Sequence, residues 1–171
     1  MEFIDVILKR RSIRAYKRKN IPEEILMRII ESARLAPSAS NLQPWKFIII
    51  RDNKAKQEIA RLAKERMWIA DASVIIAGVA TNPDYRMGSG QSSSAIDIAT
   101  AFAHMSLAAT DEGLGTCWIG SFDSDGSKRF LGIPEKFLLV GLLTIGYPDE
   151  KPGEKDRKRI QEIICYEKWS D

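Results

Sequence analysis

Residues 94–113 read SAIDIATAFAHMSLAATDEG, and the kind of protein this chain makes turns on them. Ala95, Ile96, Ile98, Ala99, Ala101, Phe102, Ala103, Met105, Leu107, Ala108 and Ala109 cover nearly the whole circumference of a helix, where a surface helix keeps one polar face. A helix apolar all round must be buried on all sides. In a chain of 171 residues a subunit interface is the easiest way to bury it, and Ala101 and Phe102 are expected there. His104 lies inside this helix with no GxSxG nucleophile elbow in the chain, so it reads as a packed or interface residue. Gly113 ends the helix as a C-cap.

On either side the pattern alternates between helices and strands. Trp45-Lys46-Phe47-Ile48-Ile49-Ile50 reads as a strand and 73–80 (SVIIAGVA) as a second, buried one. Further strands are expected near 116–120 and 138–146, with a short helical piece around 127–132 between them. Phe3, Val6, Ile7 and Arg10 fall at helical spacing, so a short helix is expected over 2–11. A second begins at Asn20-Ile21-Pro22-Glu23-Glu24, with Asn20 as cap, proline in the first turn and acids at the positive end of the dipole. It keeps Ile25, Ile29, Ile30 and Ala33 on one face and stops before Pro37. Residues 53–66 read as an amphipathic helix, and the tail from 157 has a helix-like pattern in Ile160, Ile163 and Ile164. The 82–93 segment, NPDYRMGSGQSS, reads as a flexible loop. With no repeat, low-complexity tract or linker, the chain is expected to be one domain.

Composition removes several classes. An apolar fraction of 44% with 29% charged residues is that of an ordinary soluble globular protein, not a disordered one. No segment approaches the roughly 20 uninterrupted apolar residues a bilayer crossing needs. The opening MEFIDVILKRRS is not patterned as a secretory signal. Cys117 and Cys165 make neither a CxxC nor a disulfide framework, so a reducing cytoplasm is the expected location. A single His leaves His-rich metal sites without ligands, and no bound metal is expected.

The positive charge is unevenly placed. Residues 1–20 hold Lys9, Arg10, Arg11, Arg14, Lys17, Arg18 and Lys19 against Glu2 and Asp5, a net +5 in a chain whose total is +3. A local cluster suggests one anionic ligand or a basic arm rather than a nucleic-acid surface. In Arg10-Arg11-Ser12-x-Arg14, guanidinium groups and a hydroxyl can bracket a phosphate monoester through charge-assisted bonds. The bland alternative is a solvated basic face. A second cluster, Lys151, Lys155, Arg157, Lys158 and Arg159, lies near the C-terminus, and spacing alone leaves open whether it meets the first. Between two prolines, residues 38–43 offer hydroxyls and amides able to bond a polar heterocycle, or else form a simple polar turn. Gly88-Ser89-Gly90 and Gly113-Leu114-Gly115 do not complete GxGxxG, because Ser93 and Trp118 stand where the third glycine belongs. Cys117 has no second cysteine or base nearby in sequence and reads as structural. No acid/base pair stands out, so an enzyme built this way would take its chemistry from a cofactor.

Three motifs in order, Arg10-Arg11-Ser12-Ile13-Arg14-x-Tyr16, then Ala36-Pro37-Ser38-Ala39-Ser40-Asn41-Leu42-Gln43-Pro44-Trp45, then Gly113-Leu114-Gly115-Thr116-Cys117-Trp118-Ile119-Gly120, resemble the nitroreductase family of FMN-dependent oxidoreductases. A fourth, 141–148 (GLLTIGYP), is similar to that family's last core strand, and the likeness runs to about residue 159. The resemblance implies an α+β fold, a mixed sheet wrapped by helices, in an intertwined homodimer with two FMN sites at the interface. It implies that Arg10, Ser12 and Arg14, with Arg11 beside them, bind phosphate and ribityl. It also implies that Ser38, Ser40 and Asn41, with Gln43 in support, reach the other subunit's flavin, and that Trp118, Ile119 and Gly120 run beside the ring. Lys155 and Arg157 resemble a late Lys-x-Arg pair on the phosphate. Where larger members place an Asn near the pyrimidine, this chain offers Glu65 or Arg66. The implied activity is ping-pong hydride transfer from NADH or NADPH through FMN to a small acceptor such as a nitroaromatic or quinone, with no catalytic side chain, no nucleic acid and no membrane. Dehalogenation or oxidation by the same flavin, a non-catalytic flavin-binding protein, and an anion-binding module are the alternatives.

Overall fold

The computed structural model describes residues 1–170. Its elements follow the local chemistry closely, and where they depart from the pattern the reason is a backbone one. Helix α1 is Phe3–Lys9 and α2 is Glu23–Arg34. Pro22, extended at φ −54° and ψ 145°, takes the cap position of α2 and no side chain caps it, so Asn20 lies too far upstream to do so. Strand β1, Trp45–Ile50, has the bounds its sequence suggests. Helix α3, Asn53–Leu62, is capped by Asp52, whose Oδ1 accepts from the Ala55 amide at 2.8 Å. It ends four residues earlier than expected because Lys64 and Glu65 adopt left-handed backbone (φ 62° and 56°), which reverses the chain into the short α4, Trp68–Asp71. Strand β2 (Val74–Ala80), helix α5 (Ser94–Asp111) and strand β3 (Gly115–Ile119) follow. Helix α6, Ser124–Leu131, starts ahead of its expected place because Asp123 accepts from the Gly126 amide and caps it there. Strand β4, Leu138–Gly146, closes the core. The tail forms only one 3-10 turn, Ile160–Glu162, with Ile160, Ile163 and Ile164 exposed.

The four strands make one sheet in the order β1-β2-β4-β3, every neighbouring pair antiparallel. The parallel character expected of a mixed sheet is confined to a single bridge, Ser12 to Thr116, at the β3 edge. Central β2 is buried along its whole length. Alternation sends Ile76 toward a core with α2 and α5 and Ile75 toward a second core with α3 and α4. The chain is therefore an α+β protein with helices on both faces of its sheet.

Helix α5 reaches the sheet unusually closely. A Cβ built on Gly78 of β2 would lie 2.7 Å from Phe102 Cζ and 2.8 Å from Ile98 Cγ2. Ala101 and Phe102 are accordingly in the chain's own core, each fully buried, and not on an interface as the all-round apolar pattern suggested. The face turned outward is Ala95, Ile96 and Ala103, with Ile96 46% exposed. Nearby α1 exposes Phe3, Ile4 and Leu8 as well. Among the described residues no helix is long and apolar enough to cross a membrane.

Gly78→Ala should lower stability by about 1–3 kcal/mol, the usual penalty for overpacking a filled core. Thermal denaturation followed by circular dichroism checks this, and an unchanged midpoint would mean that α5 does not rest on β2 at this point.

Candidate functional site

The basic arm leaves α1 in extended form and is sewn to the sheet edge by its backbone. The Ile13 amide donates to the Thr116 carbonyl at 2.9 Å, and the Lys17 amide to the Tyr147 carbonyl at 2.9 Å. The Arg14 and Ala15 amides both donate to the Glu150 carboxylate. Inside, the Tyr16 hydroxyl donates to the Ile13 carbonyl at 2.7 Å and lies 2.7 Å from Thr144 Oγ1. Burial holds that phenol protonated well beyond the usual tyrosine range. Extended backbone alternates its side chains. Ile13 is thus buried, Arg10 and Ser12 line one cleft, and Arg14 lines the next.

The first cleft, about 340 Å³, is walled by Ile7, Phe102, Ala103, Leu107 and Trp118, with Arg10 and Ser12 at its polar end. The second, about 360 Å³, is lined by Arg14, Arg66, Trp68, Cys117 and residues 118–121. The two spaces adjoin at Trp118, which belongs to both. Its indole is seated there by Gly141 of β4, where a Cβ would come within 2.6 Å of the indole nitrogen. Arg66 Nη1 donates to the Ser121 carbonyl at 3.5 Å. The Cys117 thiol is pushed up by burial, with Arg14, Arg10 and Arg66 pulling the other way, so it stays a neutral packed group.

The two basic clusters lie together. Lys155 Nζ donates to the Ile7 and Leu8 carbonyls at 3.0 and 3.2 Å, so it caps α1 from the tail. Its pKa is lowered by partial burial and then by the positive charges of Arg10, Arg11 and Arg157. A cluster that repels itself in this way gains most from an anion placed among its members. Arg11 is turned aside, its guanidinium bonded to the Leu8 and Gly153 carbonyls. Arg157 is exposed and bonded to its neighbour's carbonyl.

The 38–43 loop lines neither cleft of its own chain. Ser38 Oγ accepts from the Gln43 amide at 2.9 Å, and Gln43 Nε2 donates to the Asn41 carbonyl at 3.1 Å. Gln43 and Ser38 therefore shape the loop, while Ser40 and Asn41 are exposed on it. The sequence reading left the residue at 65–66 open, and the structure puts Arg66 in the second cleft. Trp68 and Ser121 were not anticipated, since no motif marks them. His104 is half-buried, with Nδ1 3.1 Å from the Ser32 carbonyl, as expected of a packed residue. Among the described residues no cluster of His, Cys, Asp or Glu could hold a metal. An apolar slot beside a cation-rich space suits a planar ring carrying an anionic tail.

Known proteins point the same way. The profile of the nitroreductase family matches residues 7–74 and 68–147. A protein of Archaeoglobus fulgidus, whose name couples NADH dehydrogenase with NAD(P)H nitroreductase, is 32% identical over 179 residues, 98% of this chain and 99% of its own. The FMN reductase [NAD(P)H] of Bacillus subtilis is 30% identical over 173 residues, 91% of this chain and 70% of its own. The crystal structure of a nitroreductase family protein from Clostridium novyi superimposes with a TM-score of 0.83 at 38% identity, covering 91% of this chain and 89% of that one. With this likeness along nearly its whole length, the chain belongs to the nitroreductase family.

Proposed function

We propose that this protein is an NAD(P)H-dependent FMN oxidoreductase that reduces nitroaromatics, quinones or related small acceptors, working as a homodimer with FMN at the subunit interface. The observation that carries it is the pairing of the apolar slot at Trp118 with the cations Arg10 and Lys155 beside it and Arg14 in the adjoining cleft. When bound, the flavin supplies two-electron hydride chemistry between nicotinamide and acceptor. The chain's own part is electrostatic and geometric. Arg10 and Arg14, with Ser12, hold the phosphate, and Lys155 and Arg157 add charge behind them. Trp118, Ile119 and Gly120 give the ring a wall, and Arg66 places a positive charge where negative charge on a bound ring is favoured. Arg11 acts through the arm's geometry, not by direct contact. Ser38, Ser40, Asn41 and Gln43 serve the partner's flavin, which accounts for a polar loop that lines neither of the two clefts of its own chain. The exposed stripe of Ile96 and Ala103, next to the apolar α1, is the surface on which a second copy packs.

Purified protein should be yellow, carry about one FMN per subunit, and bleach when NADH or NADPH is added without oxygen. Colourless protein that takes up no added FMN would overturn the assignment. Replacing both Arg10 and Arg14 with Ala removes two charge-assisted contacts worth about 1.5–3 kcal/mol each. The double variant should therefore lose FMN on gel filtration, and full loading would refute the phosphate site. Ala103→Asp should give a flavin-free monomer by light scattering, because a charge buried without a partner is not tolerated at an interface. A flavin-loaded monomer would remove the dimer from the reading. An anion beside Lys155 raises its depressed pKa, so binding takes up a proton. FMN affinity should then fall as pH rises through the range in which Lys155 deprotonates. Titrations of Lys155→Gln should show a flatter profile.

A further inference from the structure

The 38–43 loop holds three non-glycine residues in left-handed backbone within four positions: Ser40 at φ 50°, Asn41 at φ 53° and Gln43 at φ 50°. Residues with a Cβ disfavour this conformation, and a run of it persists only where surrounding contacts over-determine it. Two of those contacts come from outside the loop. Asp97, in the first turn of α5, accepts from the Ala39 amide at 2.9 Å through Oδ1. Tyr85, from the 82–93 segment, has its hydroxyl 2.9 Å from Ser40 Oγ. Asp97 is only 3% exposed, and its Oδ2 is buried with no hydrogen-bond partner, as is Ser93 Oγ one turn before it. A carboxylate kept in the interior with one oxygen unsatisfied is a costly choice for packing alone. The positive end of α5 makes the charge tolerable. The Ala39 amide gives it a purpose.

We infer that Asp97 and Tyr85 are positioning residues that clamp the 38–43 loop, before any ligand arrives, in the shape that presents Ser40 and Asn41 to the flavin. The role rests on the FMN reading given above. Asp97 fixes where the loop starts and Tyr85 fixes its most exposed turn. Binding then proceeds without ordering three strained residues, and affinity rises by the amount preorganisation supplies.

The test uses the full-length protein after removal of FMN. Amide hydrogen exchange over residues 38–43 and FMN affinity by fluorescence titration are compared for wild type, Asp97→Ala, Asp97→Asn and Tyr85→Phe, with the apoprotein melting temperature as control. Asp97→Ala should speed exchange in the loop and weaken FMN binding by about tenfold or more, the effect of losing a hydrogen bond to a charged group. Asp97→Asn keeps an acceptor for the Ala39 amide and should restore most of the affinity, which a general packing role would not require. Tyr85→Phe, which keeps the ring, should also loosen the loop and weaken binding severalfold at an unchanged melting temperature. It decides the matter if Asp97→Ala fails to fold. Unchanged loop exchange and affinity in Tyr85→Phe, or equal losses in Asp97→Ala and Asp97→Asn that merely follow melting temperature, would overturn the clamp. If wild type itself bound no FMN, the functional reading would fall, and the exchange data would still show whether the clamp exists.

Discussion

The contact between Phe102 and Gly78 governs the rest of the molecule. With no side chain at 78, the phenyl ring of α5 lies directly on β2. From there it meets Trp118 of β3 edge-on, at 5.3 Å between centroids and 81° between planes, and Phe47 of β1 at 6.3 Å. Trp118 rests in turn over Gly141 of β4. One aromatic side chain thus keys the long helix to three strands directly and to the fourth through the indole. Each such aromatic pair adds about 0.5–1.5 kcal/mol beyond simple burial. The larger consequence is positional: the indole that walls the first cleft is held by the core and not by the site.

Charge is organised differently. The cations of the arm and tail repel one another and are held together by hydrogen bonds to and from the backbone. The strand-edge bonds of Ile13 and Lys17 hold the arm, and Lys155 is tied to the end of α1. Keeping like charges close costs free energy in the empty protein, and an anion offsets that cost. The chain thereby contributes a grip for a phosphate, an apolar wall for a ring, and no acid/base pair of its own. That division of labour belongs to proteins whose cofactor carries the electrons.

Much of this was legible in the residues. The runs WKFIII and LLVGLLTIG announced β1 and β4 at their observed bounds, because continuous apolar stretches of that length leave few other options. Arg10, Ser12 and Arg14 already stood out as groups able to bracket a phosphate, although the helix expected over 2–11 stops at Lys9 and the arm beyond it is extended. Helix ends were less visible. The left-handed turn at Lys64 and Glu65 carries no glycine to mark it, and the start of α6 depends on a single Asp123 cap. Asn20 looked like a cap by residue type, yet Pro22 occupied the position. The site was legible only where its residues sit in one contiguous motif. Arg66, from the turn between α3 and α4, and Trp68, which opens α4, reach the cleft only after the chain has folded back onto β3. Asp97 and Tyr85 were invisible for the same reason, since their partners Ala39 and Ser40 lie far away along the chain.

The sequence by itself determined the strands, the family and the local chemistry of the arm, because periodicity, turn residues and short motifs act over a few residues at a time. Tertiary structure alone decided which face of 94–113 is core and which is open. A helix apolar all round carries no signal of its own orientation, and the missing Cβ at Gly78 sets it by admitting Phe102. It also decided which cations gather and which turn away, since Arg11 and Arg14 are indistinguishable in composition and differ only in the side of an extended backbone from which they project.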